Sequence, residues 1–128
     1  MNAPHPVGKH CIAEIHGCDA NLLDDLAHIR QTLSDAAGHG MSTLLKLSSH
    51  RFDPQGVTAL ALLAESHLSL HTWPEHGYAA VDAFTCGDTA DPKRCCQFIA
   101  DALKADSIEF RIVERGFAPL DAPSMATA

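Results

Sequence analysis

Between residues 57 and 86 the chain reads VTALALLAESHLSLHTWPEHGYAAVDAFTC, and this stretch limits the fold more than any other. Three strand-patterned runs, VTALALLA, SHLSLHTW and YAAVDAFTC, follow one another, with DPQG before them and PEHG within them as turn signals. Runs joined this tightly fold back on one another, so they predict neighbouring antiparallel strands. A half-buried strand alternates apolar and polar residues. Here the polar positions hold histidines, Trp73 and Cys86, groups that can do chemistry.

The flanking segments supply the rest of a two-layer pattern. KHCIAEIHG reads as a strand with Cys11, Ala13 and Ile15 on one face. Asp19 or Asn21 offers an N-cap for a helix through LLDDLAHIRQTLSDAA, with Leu22, Leu23, Leu26, Ile29 and Leu33 on one stripe and Gly38 as the stop. MSTLLKLSSHRF is a strand. Asp91 and Pro92 open a second helix with Cys96, Ile99, Ala100 and Leu103 on one face, and SIEFRIVER is the last strand. Residues 1–8 read as a flexible lead-in, and the tail GFAPLDAPSMATA as disordered or surface-bound. The order β-α-β-β-β-β-α-β predicts an α+β two-layer sandwich, with two helices on one face of a mainly antiparallel sheet. The other face is then bare. VTALALLA is apolar on both parities, so that bare face is expected to bind a second copy in a homodimer.

At 128 residues the chain is expected to form one domain, and its apolar fraction of 46% is that of an ordinary globular protein. Nine Lys plus Arg against sixteen Asp plus Glu give a net charge of −7 with no basic cluster, which argues against nucleic-acid and anionic-membrane partners. The N-terminus lacks the apolar core of a signal peptide and the longest apolar run is too short to span a bilayer, so a cytoplasmic location is expected. Five cysteines, an odd count, then read as reduced thiols. Cys11, Cys18, Cys95 and Cys96 are expected to be structural. Cys86 ends a strand before Gly87 and is either a buried thiol or a reactive one.

Metal ligation is not expected. His67 and His71 are four apart, which on a strand separates them by roughly 13 Å, and neither C-x-x-C nor H-E-x-x-H occurs. GHGMST follows a helix and opens a strand, so it reads as a cap and turn rather than a phosphate loop. No G-x-S-x-G is present. His10, His16, His28, His39 and His50 read as surface or core histidines.

ESHLSLHTWPEHGYAAVDAFTCGD, together with GKHCIAEIHGCD, HRFDPQGVTALALLAESH and the ERG ending at Gly116, resembles the short prokaryotic form of the S-adenosylmethionine decarboxylase proenzymes. The resemblance implies that the serine of the Glu-Ser pair becomes the cofactor. Its hydroxyl attacks the preceding carbonyl, the peptide bond becomes an ester, and elimination leaves a pyruvoyl group. Carried over, the chain breaks between Glu65 and Ser66 into a β chain, 1–65, and an α chain, 66–128, that begins with the pyruvoyl. That carbonyl would form a Schiff base with the substrate amine and act as electron sink.

The same resemblance makes His71 the proton acceptor in processing and Cys86 the proton donor in catalysis. Thr58 stands where the family has a serine that assists processing. Phe52, Trp73 and Glu75 are candidates for binding S-adenosylmethionine, because aromatic faces attract a sulfonium and stack on adenine while a carboxylate accepts ribose hydroxyls. Strand parity adds a constraint. Ser66 and His71, five apart, point to opposite faces of a regular strand, so a turn or bulge at or just after residues 65 and 66 is required for His71 to serve Ser66. The processing motif leaves an arginine or ornithine decarboxylase open as an alternative, and a non-enzymatic α+β partner module is the reading from another class.

Overall fold

In the computed structural model, which describes residues 6–64, 66–87 and 90–117, the central runs form three successive strands. These are β3 (Val57–Leu63), β4 (Ser66–Trp73) and β5 (Tyr78–Cys86), with β2 (Leu44–Arg51) before them. With β1 (Pro6–His16) and β6 (Ser107–Phe117) they make one six-stranded sheet in the order β2-β3-β4-β5-β1-β6, antiparallel at every pairing. The expected α+β sandwich is the observed architecture.

The helical layer is more divided than the periodicity suggests. The first predicted helix is two, α1 (Ala20–Leu23) and α2 (Leu26–His39), and α3 (Pro92–Ala102) is the next. The break follows from capping chemistry. Asp19 accepts from the Asn21 and Leu22 N–H groups, and Asp25 then starts α2 by accepting from the His28 N–H at 3.0 Å. The Leu-rich stripe continues across the break, which is why periodicity alone reads as a single helix. Gly38 is not the stop. The helix continues to His39, and Met41, at φ 62°, takes the left-handed position while the Ser42 N–H reaches back to the Ala37 carbonyl. Nor are all of residues 1–8 a lead-in, because Pro6 already pairs with Phe117 across β1 and β6. Residues 118–128, most of the predicted tail, lie outside the described residues.

Among the described residues, helices cover one face of the sheet. Cys11, Ala13 and Ile15 of β1, Val57, Ala59, Ala61 and Leu63 of β3, Leu68 and Leu70 of β4, and Ala79, Val81 and Ala83 of β5 form one core with Leu23, Ile29, Leu33, Cys96, Ile99 and Leu103. Burying each of the larger side chains contributes about 1.5–3 kcal/mol. The opposite parity stays open. Leu60 and Leu62 on β3 are 50% and 53% exposed, so the second apolar parity of VTALALLA is uncovered in a single protomer. No helix among the described residues is long and apolar enough to cross a membrane.

Candidate active site

Two groups of chemically active side chains occupy opposite ends of the sheet. The first surrounds a cleft of about 300 Å³ where the β2–β3 loop, β3, β4 and a single 3-10 turn (Pro74–His76) converge. It gathers Phe52, Thr58, His71, Trp73 and Glu75, all the residues that the sequence assigns to processing support, proton acceptance and substrate binding. Thr58 and His71 are register partners on β3 and β4, and Thr58 Oγ1 lies 3.0 Å from His71 Nδ1. The methyl that distinguishes Thr58 from serine therefore leaves the hydroxyl within reach of the imidazole. Trp73, two residues along β4, shares the bare face with His71, their ring centroids 6.4 Å apart. Gly77 ends the 3-10 turn at φ 59°, a conformation open to glycine at little cost, and turns the chain into β5.

The second group lies where β4 begins beside the end of β5, with His67 opposite Phe84. Ser66 is the first residue of β4 and is 9% exposed, its hydroxyl donating to the Ala64 carbonyl at 3.4 Å. Cys86 is the last residue of β5 and is half-buried. Glu65 lies outside the described residues. Leu63 pairs with Ser66, so β4 runs antiparallel to β3 from its first residue, and the turn or bulge that parity requires is not found from Ser66 onward. The register is regular, with no bulge between Ser66 and His71. The two residues are thus roughly 16 Å apart along the strand and on opposite faces. One chain does not bring them together.

Between the two ends, the bare face carries groups that the sequence does not single out. Asp82 accepts from the Ser69 hydroxyl at 3.2 Å and sits 3.1 Å from His10 Nε2. Tyr78 donates to the Glu14 carboxylate at 2.8 Å, and burial followed by that carboxylate pushes its phenol up to about 12. Phe84 lies under the Arg115 guanidinium at 5.1 Å and meets the His10 and His67 rings. The signal for these contacts is cross-strand register, in which Ser69 faces Asp82 and His67 faces Phe84 across β4 and β5, and His10 faces Phe84 across β1 and β5; strand periodicity does not reveal it.

The remaining thiols belong to the covered side. Burial pushes Cys18 and Cys95 up to about 11, so both keep their protons at neutral pH. Cys96 also lies far above the usual thiol range, chiefly through its hydrogen bond to Cys11, which holds Cys11 below that range. All four are buried and pack in the core, as the structural reading expects.

The family described as S-adenosylmethionine decarboxylase matches residues 9–116. An S-adenosylmethionine decarboxylase proenzyme of Synechococcus sp. strain WH7803 is 62% identical over 99 residues, covering 77% of this chain and 77% of its own. The S-adenosylmethionine decarboxylase proenzyme 2 of Halalkalibacterium halodurans is 43% identical over 114 residues, covering 89% of this chain and 90% of its own. The crystal structure of the adenosylmethionine decarboxylase from Aquifex aeolicus VF5 superposes with a TM-score of 0.84 at 35% identity, over 94% of this chain and 99% of that one.

Proposed function

This chain belongs to the S-adenosylmethionine decarboxylase family, and from that premise we propose how its residues carry out the reaction. It is a carboxy-lyase that removes the carboxyl group of S-adenosylmethionine. The relatives' names favour this substrate over the arginine or ornithine that the processing motif leaves open, and favour an enzyme over a partner module.

The precursor is cut between Glu65 and Ser66, and Ser66 becomes a pyruvoyl group. The site fits such a group: Ser66 begins β4 beside the end of β3, is shielded from water, and lies at the same end of the sheet as Cys86, the last residue of β5. A pyruvoyl group at Ser66 would supply an electrophilic carbonyl suited to holding the substrate amine and to taking up the electron pair left when CO₂ departs. Cys86 returns a proton to the substrate carbon. His71, its Nδ1 held by the Thr58 hydroxyl, removes the Ser66 Cα proton during processing. Phe52 and Trp73 receive the adenine and sulfonium, and Glu75 the ribose hydroxyls.

The observation that carries this reading is the division of these residues between two ends of one sheet. A two-fold axis between two bare faces, directed across the strands, reverses one copy relative to the other. The His71 cleft of one protomer then overlies the Ser66 and Cys86 end of its partner, and Leu60 and Leu62 become covered. Each homodimer holds two such composite sites. Mass spectrometry of the purified protein paired with release of CO₂ from carboxyl-labelled S-adenosylmethionine is the test. The expected result is fragments 1–65 and 66–128, the second without a free α-amino group, in a preparation that releases CO₂. An uncut chain that decarboxylates at full rate contradicts it.

A further inference from the structure

The break between α1 and α2 places Asp24 against the loop that forms one wall of the cleft. Asp24 Oδ2 accepts from Arg51 Nη2 at 2.7 Å and its backbone carbonyl from Arg51 Nε at 3.3 Å, at the end of β2. Its Oδ1 accepts from the Gly56 N–H at 2.9 Å, just before β3. One carboxylate thus grips both ends of the 52–55 loop. The loop closes on itself through the Phe52 N–H and the Gly56 carbonyl at 2.8 Å, and Gly56, at φ 103°, has a backbone that side-chain-bearing residues rarely adopt.

The neighbouring residue reinforces this grip. The Leu23 carbonyl, left unpaired by the early end of α1, accepts from the Thr72 hydroxyl at 2.7 Å, while the Val57 N–H donates to that same hydroxyl at 2.9 Å. The end of α1 is therefore tied to β2, β3 and β4 around the cleft, between Phe52 and Gln55 on one side and Trp73 and Glu75 on the other. The Asp24 and Arg51 side chains are 27% and 44% exposed. A pair this open adds little to global stability, so its effect falls on the loop it orders.

We propose that Asp24 is a positioning residue for substrate binding: it locks the Phe52–Gly56 loop against the cleft, so that Phe52 and Gln55 meet S-adenosylmethionine as a fixed wall. This rests on the cleft being the substrate site. Preordering a loop lowers the cost of binding more than it alters the chemical step, so its loss appears in KM.

The test uses the processed enzyme, with KM and kcat expressed per cleaved site, and acrylamide quenching of Trp73, the single tryptophan of the chain. Asp24→Ala is expected to raise KM about tenfold with kcat reduced less than about threefold, and to make Trp73 more accessible to quencher. Asp24→Asn, which keeps an acceptor for the Gly56 N–H, is expected to recover most of that loss. Wild-type KM and quenching in Asp24→Ala, alongside a raised KM in Phe52→Ala, overturns the proposal and leaves the cleft as the substrate site. An unchanged KM in Phe52→Ala as well overturns both. A fall in kcat, cleaved fraction and thermal midpoint together, without a selective rise in KM, reduces Asp24 to general structure and also overturns the proposal.

Discussion

The covered face of the sheet holds Ala59, Ala61, Leu68, Leu70, Ala79 and Val81, all closed to solvent beneath the helices, whereas the same strands present Thr58, Leu60, Leu62, His67, Ser69 and His71 on the bare face. Packing governs the first set and chemistry the second. A substitution on the covered face should therefore act on folding, and one on the bare face on processing, turnover or assembly. Ser66 departs from this division. It lies on the covered parity at the start of β4, where Leu63 pairs with it, yet the proposed cleavage runs through it.

The sharpest way to break the comparison is at Ser66 itself. Ser66→Ala removes the attacking hydroxyl while keeping a small side chain in a buried position. The expected outcome is a folded, uncut chain with no measurable decarboxylation, seen as a single mass with a native circular dichroism spectrum. A cut and active variant would show that cleavage does not run through this residue.

Next in size is Cys86→Ala. This chain should still be cut after Glu65, but lose about 10²–10⁴ in productive turnover, the usual contribution of a positioned acid. Wild-type turnover would remove Cys86 from the proton transfer.

Leu70→Ala against Leu62→Ala compares the faces on one scale. Leu70 is fully buried, and its truncation should cost about 2–5 kcal/mol in denaturant unfolding. Leu62 is half-exposed in the protomer; its truncation should cost far less protomer stability and should instead weaken dimerisation in sedimentation. Equal unfolding costs would mean that the two faces are not distinct.

The smallest effect is at alkaline pH. Tyr78 has its phenol raised from 10.0 to about 12, so the folded state holds that proton more tightly than the unfolded chain. Its contribution is complete below pH 10 and declines as pH rises towards 12. Tyr78→Phe should flatten that part of a stability–pH curve, and an unchanged slope would remove Tyr78 as its source.

Local pattern carried much of this molecule. β4 and β5 follow from alternation and turn residues, β3 from its apolar run after the DPQG turn, and the α3 stripe of Cys96, Ile99, Ala100 and Leu103 is the stripe that is buried. The α1–α2 break did not follow, because Leu22, Leu23, Leu26 and Ile29 keep their helical spacing across it. What ends α1 is partly tertiary: Arg51 and Gly56, far along the chain, bind Asp24. At the site, resemblance assigned Thr58 and His71, side-chain chemistry offered Phe52, Trp73 and Glu75 as binding candidates, and the cleft gathers all five. Strand parity already separated Ser66 from His71, and the regular β4 register keeps them apart. Asp82 with His10 and Ser69, and Tyr78 with Glu14, depend on cross-strand register and were out of reach of periodicity.

The central claim is that each site takes Ser66 from one protomer and His71 from its partner. Co-expression of two differently tagged chains, one carrying His71→Ala and the other Ser66→Ala, tests it most directly. Each chain alone should remain uncut. Together they should form a mixed dimer in which the His71→Ala chain, whose Ser66 end of β4 is overlain by the partner's intact His71 cleft, is cut after Glu65, while the Ser66→Ala chain stays whole. If the His71→Ala chain stays uncut in an isolated mixed dimer, or is cut on its own, the composite site is wrong.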